Sequence, residues 1–162
     1  MKKKSIFLLI LVVGLTLISC QSKKQEENAI KELLKKEAQT WRNGNFKGHS
    51  DCWQIQPYSK IIVSLADGTT IDVPPTAMTD PKTKMGNGGN ATQTNFNFKI
   101  NKNDAWVSHE ELSTDNLGVK TFSYEIRLLE KINNQWKLVG QSIHIYNPKK
   151  LKYNNIKKIL NN

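Results

Sequence analysis

Val119–Tyr146, VKTFSYEIRLLEKINNQWKLVGQSIHIY, reads as two long β-strands joined at Asn133-Asn134. Asn accepts positive φ more readily than most residues with a side chain, so an Asn-Asn pair between two apolar runs marks a hairpin turn. Along the first arm Tyr124, Ile126 and Leu128 alternate with Glu125, Arg127 and Leu129. One face is therefore apolar and the other carries a Glu and an Arg. The second arm, Gln135 to Tyr146, is apolar on both faces, as a strand in the middle of a sheet must be.

Upstream of this hairpin the chain supplies more strands and then helices. Ala105 to Leu112, AWVSHEEL, is a strand, and Phe96, Phe98 and Ile100 alternate into another, with a turn at Asn101 to Asp104. Gly86 to Asn95, GNGGNATQTN, is poor in apolar residues and is expected as a loop. Asp80-Pro81 has the form of an N-cap followed by Pro at the first helical position, predicting a short helix up to Gly86. Lys60 to Val73 is expected as a hairpin turning at Asp67-Gly68 and stopped by Pro74-Pro75. From Glu26 the residues Ile30, Leu33, Leu34, Ala38 and Trp41 form a single apolar stripe of a helix, and Gly44 is suited to end it. Phe46 to Trp53 is expected as a second, short helix with Phe46, Cys52 and Trp53 inward. Its end is set by Pro57, which keeps Gln56 out of the helical region. The last residues, LKYNNIKKIL, suggest a weak basic helix.

The N-terminus is a targeting segment. Lys2, Lys3 and Lys4 precede an apolar run from Ile6 to Ile18, which is too short for a membrane span of ~20 residues but fits a signal sequence. Leu17-Ile18-Ser19-Cys20 resembles the lipobox of bacterial lipoproteins, in which the cysteine thiol takes a diacylglycerol and becomes the new N-terminus. That resemblance implies a lipid-anchored protein of the cell envelope, periplasmic or surface-facing. The expected division is a signal peptide at 1–19, a tether at 20–27, one domain at 28–147 and a basic tail at 148–162. The whole chain has 24 basic and 14 acidic residues, a net charge of +10. Loss of the signal removes three lysines and no acid. The remaining bases gather in Lys23-Lys24 and in the tail, and no nucleic-acid-binding motif accompanies them. With Cys20 acylated, Cys52 has no disulfide partner, so the core alone must hold the fold.

The order of elements resembles the NTF2-like (nuclear transport factor 2-like, or SnoaL-like) superfamily. The residues that carry the resemblance are Trp41-Arg42-Asn43-Gly44-Asn45-Phe46, Asp104-Ala105-Trp106-Val107, Glu125-Ile126-Arg127-Leu128-Leu129-Glu130-Lys131 and Trp136-Lys137-Leu138-Val139. Trp53 with Gln56-Pro57-Tyr58 is similar to small members from Bacteroidota. The resemblance covers about residues 27–146 and implies an α+β cone: N-terminal helices on a strongly bent antiparallel sheet, with a pocket on the concave side and often a dimer through the convex side. Two departures concern catalysis. Asn45 stands where the family has Asp, and no Asp general base pairs with a Tyr oxyanion hole.

Side chains alternate across a strand, so His109 and Glu111 share a face with Ala105 and Val107, and Glu125 shares one with Arg127. The resemblance to kinase association domains, with their E-x-R pattern, implies that these four line the pocket together with Trp53 and Tyr58. The opposite assignment leaves them as a solvated outer face, with Trp106 and Leu112 inward. Converged, they offer two roles. Arg127 either neutralises Glu125 or Glu111 inside the fold, or binds an anionic ligand while His109 and a Glu handle protons. His144 reads as a hydrogen-bonded core residue and His49 as exposed. No spacing of metal ligands, Gly-rich phosphate loop or Ser-His-Asp arrangement is present, and no cofactor is implied. The leading expectation is an anchored domain that binds a small molecule or a protein partner without catalysis. The alternative is an isomerase-, dehydratase- or hydrolase-like enzyme on a small organic substrate, and a homodimer through Trp106 is a further expectation.

Overall fold

The computed structural model describes residues 23–86 and 88–148. The expected signal peptide (1–19), Cys20 and all but the first residue of the expected tail (148–162) lie outside the described residues. A long helix, α1 (residues 23–42), is followed by α2 (Phe46–Ser50) and six strands: β1 (Ile61–Ser64), β2 (Thr70–Val73), β3 (Asn90–Ile100), β4 (Asp104–Thr114), β5 (Lys120–Ile132) and β6 (Gln135–Tyr146). The strands form one sheet in the order β2-β1-β6-β5-β4-β3.

The β5–β6 hairpin is the middle of that sheet. Asn133 and Asn134 both take positive φ, 48° and 64°, which turns the chain with the twist of the strands. β3–β4, β4–β5, β5–β6 and β1–β2 pair antiparallel, while β1 runs parallel to β6 from Ile61 opposite Gln141 to Ser64 opposite His144. Two irregularities bend the sheet. In β3 the register shifts between Thr94 and Asn97, with Asn95 at φ 54°, and between β5 and β6 it shifts at Leu128–Leu129. At the second shift Gly140 sits opposite Leu128, and a Cβ there would be 3.1 Å from the Lys60 carbonyl oxygen, so the close approach of β1 depends on it.

The concave side of this bent sheet receives α1. Ile30 and Leu34 are fully buried and meet Ala105, Val107, Leu129 and Leu138 in one core with Cys52, Trp53 and Trp136, and Ala38 is buried one turn further along the helix. Cys52 is a free thiol; burial pushes its pKa up to about 11, and its Sγ donates to the Gly48 carbonyl. Gly44 takes φ 64° after α1, and the Asn45 side chain accepts from the Gly48 N–H as the N-cap of α2. Asn45 thus serves the backbone of the next helix.

Several expectations are corrected. Helix begins by residue 23, inside the stretch expected as a tether to 27. α2 stops at Ser50, short of Trp53. The helical turn near the prolines is a 3-10 helix at Pro75–Met78, before Asp80; Asp80 Oδ1 instead accepts from the Lys82 N–H in a local turn. Strand β3 starts at Asn90, so the expected loop Gly86–Asn95 is only its first part. Even that part is tied down: the Gly88 N–H donates 2.7 Å to the Arg42 carbonyl at the end of α1.

Candidate functional site

Alternate inward positions of β4 and β5 carry the charged residues of the fold. Ala105, Val107, His109 and Glu111 are buried on β4, and Ser123, Glu125, Arg127 and Leu129 on β5. The apolar face of β5 is the outer one, with Tyr124 and Leu128 about two-fifths exposed. The charged face was drawn inward because α1 brings matching charges of its own.

Arg127 is 3% exposed. Its guanidinium donates to Glu125 Oε2 on the same strand and to Gln141 Oε1 on β6, and Nη1 lies 3.6 Å from Glu37 Oε2 on α1. Burial alone would lower its pKa, and Glu125, Glu37 and Glu111 more than reverse this, so it stays charged. Glu125 also accepts from Ser123 Oγ at 2.8 Å. Burial pushes Glu125 up most strongly, but Arg127, His109 and the Ser123 hydrogen bond together outweigh it and hold the carboxyl below its usual range. A second pair stands beside the first. Arg42 Nη2 donates 2.6 Å to Glu111 Oε1, its Nη1 donates to the Ala38 carbonyl, and Gln93 Nε2 donates 3.1 Å to Glu111 Oε2.

Glu37 is the residue the sequence reading missed. Desolvation raises its pKa to about 7, and Arg127 only partly offsets the effect. With Glu37 protonated, two carboxylates face two guanidinium groups and the buried charges cancel. Positions 30, 34, 37 and 41 form one helical stripe, so a Glu among Ile30, Leu34 and Trp41 was the available signal. His49, expected exposed, is 1% exposed: its ring packs on Trp41 and Trp53, and Nδ1 is 3.7 Å from Glu37 Oε1. His109 is fully buried against Phe96, with Nε2 3.6 Å from Glu125 Oε2. Burial lowers the pKa of both histidines and keeps them neutral.

A cleft of about 290 Å³ opens beside this cluster. Its apolar wall comes from Trp41, Ile61, Val63, Val73, Met78 and Ile143, and its polar end from Arg42, Glu111, Ser123, Glu125, Arg127 and Gln141. Thus Glu111, Glu125 and Arg127 come together at the cleft, and His109 lies behind them without lining it. Arg127 faces the cleft already paired, and its Nε–H is buried without a partner. Trp53 and Tyr58 do not line it. Trp53 belongs to the core, bridging to Leu138, and Tyr58 is 64% exposed with its hydroxyl donating to Glu130. Trp106 points outward at 55% exposure, and His144 shares a hydrogen bond of 2.9 Å with Ser142. No group of His, Cys, Asp and Glu arranged to hold a metal occurs among the described residues.

No protein-family model matches the chain, and no curated protein matches it in sequence. Solved structures do match in shape. A protein of unknown function with a cystatin-like fold from Nostoc punctiforme superimposes with TM-score 0.57 at 13% identity, covering 78% of this chain and 94% of that one. An NTF2-like protein of unknown function from Shewanella baltica gives 0.57 at 17% identity, over 76% and 95%. A proposed dehydratase of the NTF2-like family from Streptomyces avermitilis gives 0.56 at 11% identity, over 75% and 96%. At such identities the likeness speaks for architecture alone: the chain has the NTF2-like, cystatin-like α+β fold, helices laid in the hollow of a bent sheet.

Proposed function

We propose that this chain is a lipid-anchored domain of the bacterial cell envelope, of the kind found in Bacteroidota, that binds a small, neutral, largely apolar molecule in its cleft without transforming it. The observation that carries the reading is the cleft itself, whose aliphatic wall meets a polar end where each arginine is already held by a carboxylate. A free carboxylate or phosphate would have to break one of those pairs. A neutral hydroxyl, by contrast, leaves both pairs intact and can donate to the Ser123 oxygen, whose own proton is held by Glu125. Absence of catalysis is supported by His109, which is sealed beneath Glu125 and Phe96 and reaches no cleft volume. The anchor is supported by the sequence at Cys20. A homodimer through the outer face is supported by Trp106, paired across the sheet with exposed Leu128.

The test is saturable binding of Nile red, a neutral apolar dye, followed by displacement with long-chain alcohols and with the matching carboxylates. One site per chain, displaced by the alcohols and lost in Ile143→Trp, is expected, because the indole fills the cleft. Unsaturable dye uptake, or displacement by carboxylates alone, would remove the reading.

A further inference from the structure

The first turn of α1 lies against the tips of both long hairpins. Glu26 accepts from Lys131 Nζ at 2.6 Å and from Trp136 Nε1 at 2.7 Å, while the Lys131 N–H donates to the Asn103 carbonyl. Lys23, Glu26, Asn101, Lys102, Asn103 and Asn134 surround one shallow hollow at this end. Neither Lys23 nor Lys102 has an ion-pair partner among the described residues, whereas Glu26 is taken by Lys131. The opposite end is built from the last turn of α1 and the turn after β4. There the Arg42 carbonyl receives Gly88, and Gly89 packs against Thr114 and Asp115. The cleft belongs to that opposite end, since its helical residues are Ala38, Trp41 and Arg42 and it reaches Ser113, Thr121 and Ile145 near the strand ends. At 1.5 Å per residue, α1 places it about 20–30 Å from Lys23.

We propose that the hairpin-tip end, presenting Lys23, Lys102 and Asn103, rests on the phosphate-bearing lipid surface and holds the cleft away from the bilayer. The proposal depends on the acylated Cys20 of the reading above, because that residue sets the reach. Only Gln21 and Ser22 separate it from the helical residue 23, and so short a covalent link spans at most about 11 Å. A flexible tether would let the domain tumble; a link of two residues keeps the start of α1 at the headgroups. The two unpaired lysines then face anionic phosphate, and the polar asparagines of the tips sit in the wet headgroup layer. The cleft consequently collects its ligand from the aqueous side.

The experiment uses the full chain, purified in its acylated form and reconstituted into vesicles containing phosphatidylglycerol and a headgroup nitroxide quencher. Fluorophores are placed through Asn103→Cys at a hairpin tip or Leu117→Cys in the turn after β4, where Leu117 is 80% exposed. Cys52 is fully buried and takes no label. Several-fold stronger quenching at position 103 than at 117 is expected, with the difference reduced by Lys102→Glu. Equal quenching at the two positions, or stronger quenching at 117, overturns the orientation while the anchor and the dye-binding result stand. Intact mass of the same preparation reads the anchor: an unmodified Cys20 removes the anchor and the orientation together and leaves the cleft untouched.

Discussion

Arg127 and Glu37 show what single residues do in this core. Because Arg127 holds Glu125 and lies beside Glu37, Arg127→Met strands buried carboxylates and should cost about 3–5 kcal/mol in chemical denaturation. Adding Glu125→Gln to that variant should recover part of the loss, since one of the stranded charges is then gone. A loss below about 1 kcal/mol for Arg127→Met would mean an exposed, wet arginine and would sink the closed network. Glu37 gives a pH signature. Its folded pKa of about 7 lies above the ordinary carboxylate value, so between about 4.5 and 7 the folded protein keeps a proton that the unfolded chain has released. Stability from this group is full below about 4.5 and falls by about 3 kcal/mol as pH rises through 7. His49 and His109 act in the other direction. Their folded pKa values are lowered, so their contribution is lost as pH drops below the unfolded value of about 6.5. Arg127, Glu125, Glu111, Arg42 and His49 are the charged or titratable groups facing Glu37, and all remain in Glu37→Gln. That variant should therefore gain on the wild type from about pH 5 to 7 and level off above it. Parallel stability curves across that range would show that Glu37 titrates normally.

Among the elements, the turns decide register and the glycine loop decides closure. Gly68 and Gly89 both have positive φ, 96° and 90°, but their surroundings differ. A Cβ on Gly68 meets nothing within 4 Å, whereas one on Gly89 would be 1.9 Å from the Thr114 carbonyl oxygen. Gly68→Ala should accordingly cost about 1–2 kcal/mol of left-handed strain. Gly89→Ala adds a backbone clash to the same strain and should cost clearly more, with the segment leading into β3 displaced from α1. Equal thermal shifts for the two variants would mean that the loop does not press on the turn after β4. At the β5–β6 turn the asparagines already tolerate positive φ, so Asn134→Gly should be neutral or stabilise by up to about 1 kcal/mol.

Across the whole molecule, the concave side of the sheet holds buried charges beside the apolar core, while part of the convex side is apolar. Trp106 and Tyr124 are exposed there along with Leu128, which is more apolar surface than an isolated strand face needs. If this face pairs two copies, Trp106→Ala should shift the wild-type dimer to monomer by light scattering while the monomer keeps its circular dichroism. A wild-type chain that stays monomeric at high concentration removes the motive for the variant.

The order of elements, the central hairpin and the α1 stripe were legible in the sequence because they rest on local rules: period 2 in the strands, period 3.6 in the helix, and positive φ at Asn-Asn and Asp-Gly. Which face of β5 turns inward did not follow from those local rules, although the family resemblance pointed to the charged one. Alternation states that two faces differ, and hydrophobicity alone would have buried Tyr124, Ile126 and Leu128 in place of Glu125 and Arg127. Only the packing of α1 against the sheet decided it, since Glu37 and Arg42, some seventy or more residues away in the chain, supply the partners that make burial of Glu111 and Arg127 tolerable. The parallel β1–β6 pair, the burial of His49 and the exclusion of His109 from the cleft are likewise contacts between distant segments, to which local propensity is blind.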